Sequence, residues 1–360
     1  MKIAYIITRY KPNGGVFTSL DRLRIYLKEK NIETEAFVLG RNKGNYNFFN
    51  KKNNLKELLD FDIVELYHCW GTETIGSELL LTLKELIKQN KLIFRSHETK
   101  SIKSKSKTNH SSIVEELRDA VFILEGLHEA QYYKSKFNLN KVVTIRYIYN
   151  KINNKGYDLK TKNKIIVPSR LDFCKGLEFI KAYTESSYNK RRIEFYSKNI
   201  NEAFVYFTKF NTILESDLYI PIEDYKSNFD KIYKDARILL NFTWFGEGSS
   251  GRAELIVMEG WDYGVIPFVD SRWAKDGDIL KSGYNCIGIE KRNFKQLYEE
   301  IEKIFNDDKY ANNLIKNGYE SLNTIIKEND NIINFYNDFL NKNIDKWLIQ
   351  GDNLKKGLLL

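Results

Sequence analysis

Apolar and polar positions along the chain fall into two alternating textures. Short runs rich in β-branched and aromatic residues predict strands at Lys2–Thr8, Thr34–Leu39, Asp62–Tyr67, Lys91–Arg95, Val121–Leu124 and Val142–Ile145. Between them apolar residues return every three or four positions, as at Phe17, Leu20, Leu23 and Leu27, and helices are predicted over Gly76–Lys88 and Ser111–Arg118. After a polar stretch, Asn150–Asn163, the pattern restarts. Strands are expected at Lys164–Val167, Ile193–Tyr196, Ile238–Asn241, Ile266–Val269 and Cys286–Ile289, and helices at Gly176–Glu185, Arg252–Tyr263, Phe294–Asn306 and Asp308–Ile326. A last periodic segment, Asn331–Ile349, reads as a helix packing back on the earlier core. The competing reading is a membrane-surface helix extended by Leu358–Leu360.

Strands alternating with longer helices indicate an α/β fold, parallel sheets covered by helices. The 360 residues suit two domains at roughly 150 residues each. The expected division is 1–155, then 164–330, with 331–360 returning to the first domain. Two such halves are expected to face across a cleft that holds a ligand. No internal repeat is visible.

Composition narrows the class. With 42% hydrophobic and 14% aromatic residues and only four prolines, the chain is not disordered. No apolar run reaches the roughly 18 residues that span a bilayer. Ile3–Ile7 is too short for a signal-peptide core and soon meets Arg9, so it reads as a strand. Cys69, Cys174 and Cys286 are scattered, which argues against a disulfide framework or zinc site and for a reducing cytoplasm. The net charge of +9 favours polyanionic partners, nucleic acid or anionic membrane, although Lys richness also follows from coding bias.

Four stretches could carry chemistry. Gly14-Gly15-Val16, between the first strand and first helix, allows close backbone approach and offers free N–H groups to an anion; a plain tight turn explains it equally. Arg170 and Lys175 follow the first strand of the second half and could clamp a diphosphate, against a solvated turn. The Gly/Ser loop ending at Gly251 leads into a helix holding Glu254 and Glu259 among apolar neighbours. Burying an ionised carboxylate costs several kcal/mol unless it is paired (about 3–5 when a partner is removed). These two therefore need arginine, a cleft opening or a hydroxyl-rich ligand, and sugar hydroxyls suit a group that only accepts. Five residues apart on a helix is a turn of about 140°, so the two do not share one face and a ligand has to pass over the helix start. The last stretch is His97-Glu98, a candidate acid/base pair after a strand, followed by the basic run Lys100, Lys103, Lys105 and Lys107, which could grip phosphates or be an ordinary solvated loop. His68 is similarly placed but lacks such a neighbour. Asp60-Phe61-Asp62 has the form of a metal-binding D-x-D but reads as a strand start, so no metal site is expected.

Together these residues resemble a retaining glycosyltransferase of the GT-B architecture, family-4-like, with two Rossmann-like domains and a terminal helix crossing back to the first. The Gly14-Gly15-Val16 loop, Arg170 with Lys175-Gly176, and the helix Glu254–Tyr263 followed by Gly264-Val265-Ile266-Pro267 stand in that family's order over nearly the whole chain. There is one departure. The large family-4 type has two glutamates separated by seven intervening residues, and counting back from Glu259 that way lands on Gly251, with Glu247 too far upstream without an insertion. The spacing Glu254–Glu259 is instead similar to the DNA α-glucosyltransferases of T-even phages, which also share the Arg/Lys-Gly pair and a His-acidic pair after the corresponding strand.

The resemblance implies a hexosyltransferase using a UDP-sugar as co-substrate, with no tightly bound cofactor. Glu259 would hold the donor ribose, Arg170 and Lys175 would neutralise the diphosphate, and Glu254, or alternatively Glu247, would orient the transferred sugar. N–H groups around Gly15 and Gly251 would stabilise charge on the leaving phosphate, and His97 and Glu98 would lie near the acceptor hydroxyl. The expected acceptor is a modified base in double-stranded phage DNA, with the protein acting as a monomer in the host cytoplasm. The alternatives are a bacterial enzyme of lipopolysaccharide, capsule or glycolipid synthesis and a non-enzymatic nucleic-acid-binding protein. The last explains the charge but not the carboxylates in the helix.

Overall fold

The computed structural model describes residues 1–7, 15–39, 47–48, 54–68, 75–96, 109–153, 158–168, 176–197, 219–221, 228–242, 254–276 and 279–349. Their strands are β1 (Lys2–Ile7), β2 (Glu33–Val38), β3 (Asn47–Phe48), β4 (Ile63–His68), β5 (Leu92–Ser96), β6 (Val121–Leu124), β7 (Val142–Thr144), β8 (Lys164–Val167), β9 (Ile193–Ser197), β10 (Tyr219–Pro221), β11 (Ala236–Asn241), β12 (Ile266–Asp270) and β13 (Ile287–Ile289). The helices are α1 (Gly15–Glu29), α2 (Asn54–Glu57), α3 (Ser77–Lys88), α4 (Asn109–Glu116), α5 (Leu127–Phe137), α6 (Leu177–Thr184), α7 (Phe229–Tyr233), α8 (Leu255–Asp262), α9 (Ser271–Asp276), α10 (Phe294–Asn306), α11 (Asp308–Lys327) and α12 (Asn331–Leu340).

The chain divides into two compact units, Met1–Ile148 with Lys327–Leu360, and Tyr149–Ile326. Each is built on one parallel sheet. The first has the order β3-β2-β1-β4-β5-β6-β7 and the second β10-β9-β8-β11-β12-β13. Both grow outward in one direction from their first strand and then reverse, the doubly wound order of a Rossmann sheet.

Burial on both faces explains the near-continuous apolar runs. In the first unit Ala4 and Ile6 face the core shared with α3, α4 and α5, while Ile3, Tyr5 and Ile7 face α1 and α12. The terminal segment supplies Ile332, Phe335, Tyr336 and Phe339 to that second core, with Trp347 edge-on to Phe335. The helix predicted to reach Ile349 stops at Leu340. Asn341, Lys342 and Asn343 interrupt the apolar pattern, Lys342 takes a left-handed φ of 57°, and the chain continues through a short 3-10 turn, Asp345–Trp347.

A buried charged pair sits inside the first sheet. The Arg95 guanidinium on β5 donates to Glu65 on β4, and the Tyr336 hydroxyl donates to the other Glu65 oxygen at 2.6 Å. Burial and the neighbouring Glu65 charge raise the Tyr336 phenol well above its ordinary range. Asp62, read as a strand start, accepts the Lys2 N–H at 2.7 Å and ties the entry of β4 to β1. In the second unit Cys286 is a buried free thiol whose ordinary value is pushed up to about 12 by burial.

Candidate functional site

In a doubly wound sheet, ligands gather at the carboxyl ends of the strands where the order reverses. In the second unit that point lies between β8 and β11. β8 runs out at Val167 and Pro168, and the chain is next described at Gly176, which caps α6 with a left-handed φ of 68°. Glycine takes that φ without the strain a side chain adds there. β11 ends at Asn241, and the chain returns at Glu254, immediately before α8.

α8 packs tightly on the sheet. A Cβ at Gly260 would lie 3.1 Å from Leu239 Cδ2, so the small residue sets the helix-to-sheet distance. Val257, Met258 and Trp261 are buried, and the Trp261 indole donates to the Asn285 carbonyl at 2.8 Å. The helix predicted from Arg252 includes Glu254, but Glu254 stands outside α8. It is the N-cap residue with extended backbone (φ −61°, ψ 156°), and its carbonyl accepts from the N–H groups of Val257 and Met258. A carboxylate there meets the positive end of the helix dipole. It also meets the β11 terminus: Asn241 Nδ2 donates to Glu254 Oε2 at 3.4 Å.

Glu259 lies within α8 and is 3% exposed. The Tyr233 hydroxyl, from α7, donates to Glu259 Oε2 at 3.3 Å. The Tyr233 ring is stacked between Phe229 and Tyr263, and the Tyr263 hydroxyl donates to Asp230 at 2.8 Å. Burial first, then that hydrogen bond, raises the Tyr263 phenol. Lys162 closes α7 from below, its ammonium donating to the carbonyls of Tyr233, Lys234 and Ala236 at 3.3, 3.1 and 3.0 Å. Burial lowers its ordinary value to about 8, against the opposing pull of Asp235. At the far end of α8 the buried Asp262 accepts the N–H groups of Ile152 and Asn153, binding the first residues of the second unit to this helix.

Of the candidate catalytic and binding residues singled out in the sequence, only Glu254 and Glu259 have described side chains, and the structure sets them at the cap and in the body of one helix. Gly15 and Val16 open α1. Gly14, His97, Glu98, Lys100, Lys103, Lys105, Lys107, Arg170, Lys175, Glu247 and Gly251 lie outside the described residues, as does the disulfide-free reading of Cys69 and Cys174. Ser96, just before His97, ends β5 buried against the Tyr133 hydroxyl. The sequence reading missed Asn241, Tyr233 and Asp262. Asn241 and Asp262 carried a signal, each being a polar residue closing an apolar run; Tyr233 carried none. Among the described residues no group of three or more His, Cys, Asp or Glu side chains is placed to hold a metal ion.

No protein-family model and no curated protein sequence matches the chain. Solved structures do match it. An α-glucosyltransferase in complex with UDP and a 13-mer DNA containing an HMU base superposes with a TM-score of 0.69 at 13% identity, over 93% of this chain and 99% of that one. Anabaena Alr3699/HepE in complex with UDP-glucose gives 0.66 at 12%, over 94% and 100%. TarM gives 0.64 at 11%, over 94% and 98%. This is the GT-B fold. The two doubly wound sheets are the two Rossmann-like halves of GT-B, and the returning segment with α12 is its terminal crossing. At these identities the likeness is one of fold, and the GT-B frame places Glu254 and Glu259 in its second half.

Proposed function

We propose that the chain is a nucleotide-sugar-dependent hexosyltransferase, moving a sugar, glucose in the first instance, from a UDP-sugar to a hydroxyl acceptor with retained anomeric configuration. One observation carries the reading: Glu259 is a buried carboxylate in an apolar helix of the second unit, in a fold shared with proteins solved in complex with UDP or UDP-glucose. A carboxylate only accepts, and ribose hydroxyls are paired donors. Glu259 would hold the donor ribose, and Glu254 (or Glu247) would orient the transferred sugar. Arg170, Lys175 and the N–H groups at Gly14, Gly15, Val16 and Gly251 would stabilise the charge developing on the β-phosphate. The acceptor hydroxyl attacks the anomeric carbon from the leaving-group side as its bond to the phosphate oxygen breaks. The hydroxyl proton passes to that oxygen, and UDP departs. His97 and Glu98 would lie beside the acceptor.

The acceptor we favour is a modified base in double-stranded DNA, reached in the cytoplasm. The net charge of +9 and the run Lys100–Lys107 support it, as does the likeness to an enzyme solved with DNA. Anionic membrane suits the same charge, so the second reading is a transferase of lipopolysaccharide, capsule or glycolipid synthesis. The test is a screen of UDP-sugars against modified duplex, unmodified duplex and glycolipid vesicles, with donor hydrolysis as background. DNA affinity should fall steeply with salt, and affinity independent of ionic strength would end the DNA reading. Glu259→Ala should weaken UDP-sugar binding with the fold intact; unchanged donor affinity removes the residue from the site.

A further inference from the structure

The carboxyl end of β11 holds a buried polar group with no donor among the described residues. Asn241 is 4% exposed and closes an otherwise apolar strand, Ala236-Arg237-Ile238-Leu239-Leu240-Asn241. Side chains alternate along a strand. Ile238 and Leu240 enter the core with α6, α10 and α11, whereas Leu239 enters the core beneath α8, so Asn241 shares the α8 face. There its amide meets Glu254 Oε2 at 3.4 Å. A carboxylate has no proton to give, so the nitrogen of the amide has to face it. That contact orients the whole group and turns Oδ1 the other way. Among the described residues no donor reaches Oδ1, although the atom is buried.

An orphaned buried acceptor is rare, and an apolar residue of similar size would avoid it. Ile238, Leu239 and Leu240 show that the strand readily accommodates apolar residues. The position itself is the switch-point strand end, next to the residue given the task of orienting the transferred sugar. We propose that Asn241 is a sugar-reading residue: its amide nitrogen aims Glu254, and its Oδ1 accepts a hydroxyl of the sugar being transferred. The inference rests on the UDP-sugar reading and deepens it. It assigns selection of one sugar hydroxyl to a residue outside the glutamate pair and the diphosphate clamp. A planar amide that points one donor at a carboxylate and one acceptor at the ligand is directional. It distinguishes a hydroxyl from hydrogen at one carbon, and it leaves the nucleotide untouched.

The experiment measures binding by the full chain of UDP, UDP-glucose and UDP-glucose analogues in which one sugar hydroxyl is replaced by hydrogen. Wild type should bind one analogue about tenfold more weakly than UDP-glucose, the size of one hydrogen bond. Asn241→Ala should bind UDP-glucose about tenfold more weakly, treat that analogue and UDP-glucose alike, and bind UDP as wild type does. Asn241→Leu fills the space of the amide and should show the same loss with an unchanged melting temperature, so a folding defect in the alanine variant does not decide the matter. Equal weakening toward UDP and UDP-glucose, or retained discrimination in both variants, overturns the assignment. Wild type that fails to bind UDP at all overturns the donor reading itself, and the role of Asn241 with it.

Discussion

Asp262 is the most exacting test of how the second unit is held together. It ends α8 and is fully buried. Oδ2 accepts from the Ile152 N–H at 2.6 Å, the Asn153 N–H at 3.1 Å and the Tyr149 hydroxyl at 3.2 Å. The Asp262 carbonyl accepts from Asn153 Nδ2 at 3.1 Å and the Tyr319 hydroxyl at 3.0 Å. Oδ1 has no partner among the described residues. Burial raises the carboxyl above its ordinary 3.8, and the three hydrogen bonds and Lys151 offset that only in part. A negative charge at a helix C-terminus is also opposed by the helix dipole. Asp262→Ala removes the acceptor and leaves two backbone donors stranded. Each charge-assisted bond contributes about 1.5–3 kcal/mol, and relief of the buried charge returns part of it, leaving a net loss of about 3–5 kcal/mol. Asp262→Asn keeps an oxygen for the two N–H groups and should cost about 1 kcal/mol. The pH dependence has a definite sign. Because the folded value is raised, the stability the group contributes is fully present below 3.8 and is lost as pH rises through the folded value. Wild type should therefore gain on Asp262→Asn as pH falls from neutrality toward roughly 4. Urea unfolding of the three proteins at both pH values measures this, and the difference cancels carboxylates common to all. Alanine and asparagine variants within about 0.5 kcal/mol of each other, or a gap that does not change with pH, would refute the clamp.

Gly318→Ala should lower the melting temperature sharply, because a Cβ there would sit 2.5 Å from Trp261 Cδ1 and force α8 and α11 apart. The cost expected is about 2–3 kcal/mol, and a variant as stable as wild type would show that the contact gives way freely. Glu65→Ala leaves Arg95 buried without its counter-charge, at about 3–5 kcal/mol. Adding Arg95→Met should recover most of that loss in a chemical-denaturation series, and no recovery would argue against the charge as the cause. Lys162 has a folded value lowered to about 8 from 10.5, so its contribution is present above 10.5 and lost as pH falls through about 8. Wild type should thus gain stability relative to Lys162→Met as pH rises from about 8 toward 10.5; a flat difference excludes the buried ammonium as the titrating group.

Periodicity along the chain was enough to reveal the alternation of strand and helix, because strands buried on both faces of a parallel sheet are written in near-continuous apolar runs. The strands β1, β4, β5, β6, β8, β11 and β12 are written in runs such as Ile3–Ile7 and Ile238–Leu240. The edge strands β3 and β10, with two and three residues, are too short to leave a period. The start of α8 was misjudged for a local reason: Arg252, Ala253 and Glu254 are all good helix formers, and nothing in their order says that Glu254 caps the helix while its side chain meets Asn241. The charge of Glu259 among apolar neighbours was visible, and it marked the candidate region. What satisfies that charge was not, because Tyr233 lies 26 positions away. Glu65 and Tyr336 meet across 271 positions, and Asp262 and Asn153 across 109. Local composition dictates which residues must be buried, since that depends on each side chain's own cost of leaving water. Which polar groups then meet inside the fold depends on strand order and helix placement, and only the tertiary structure decided it.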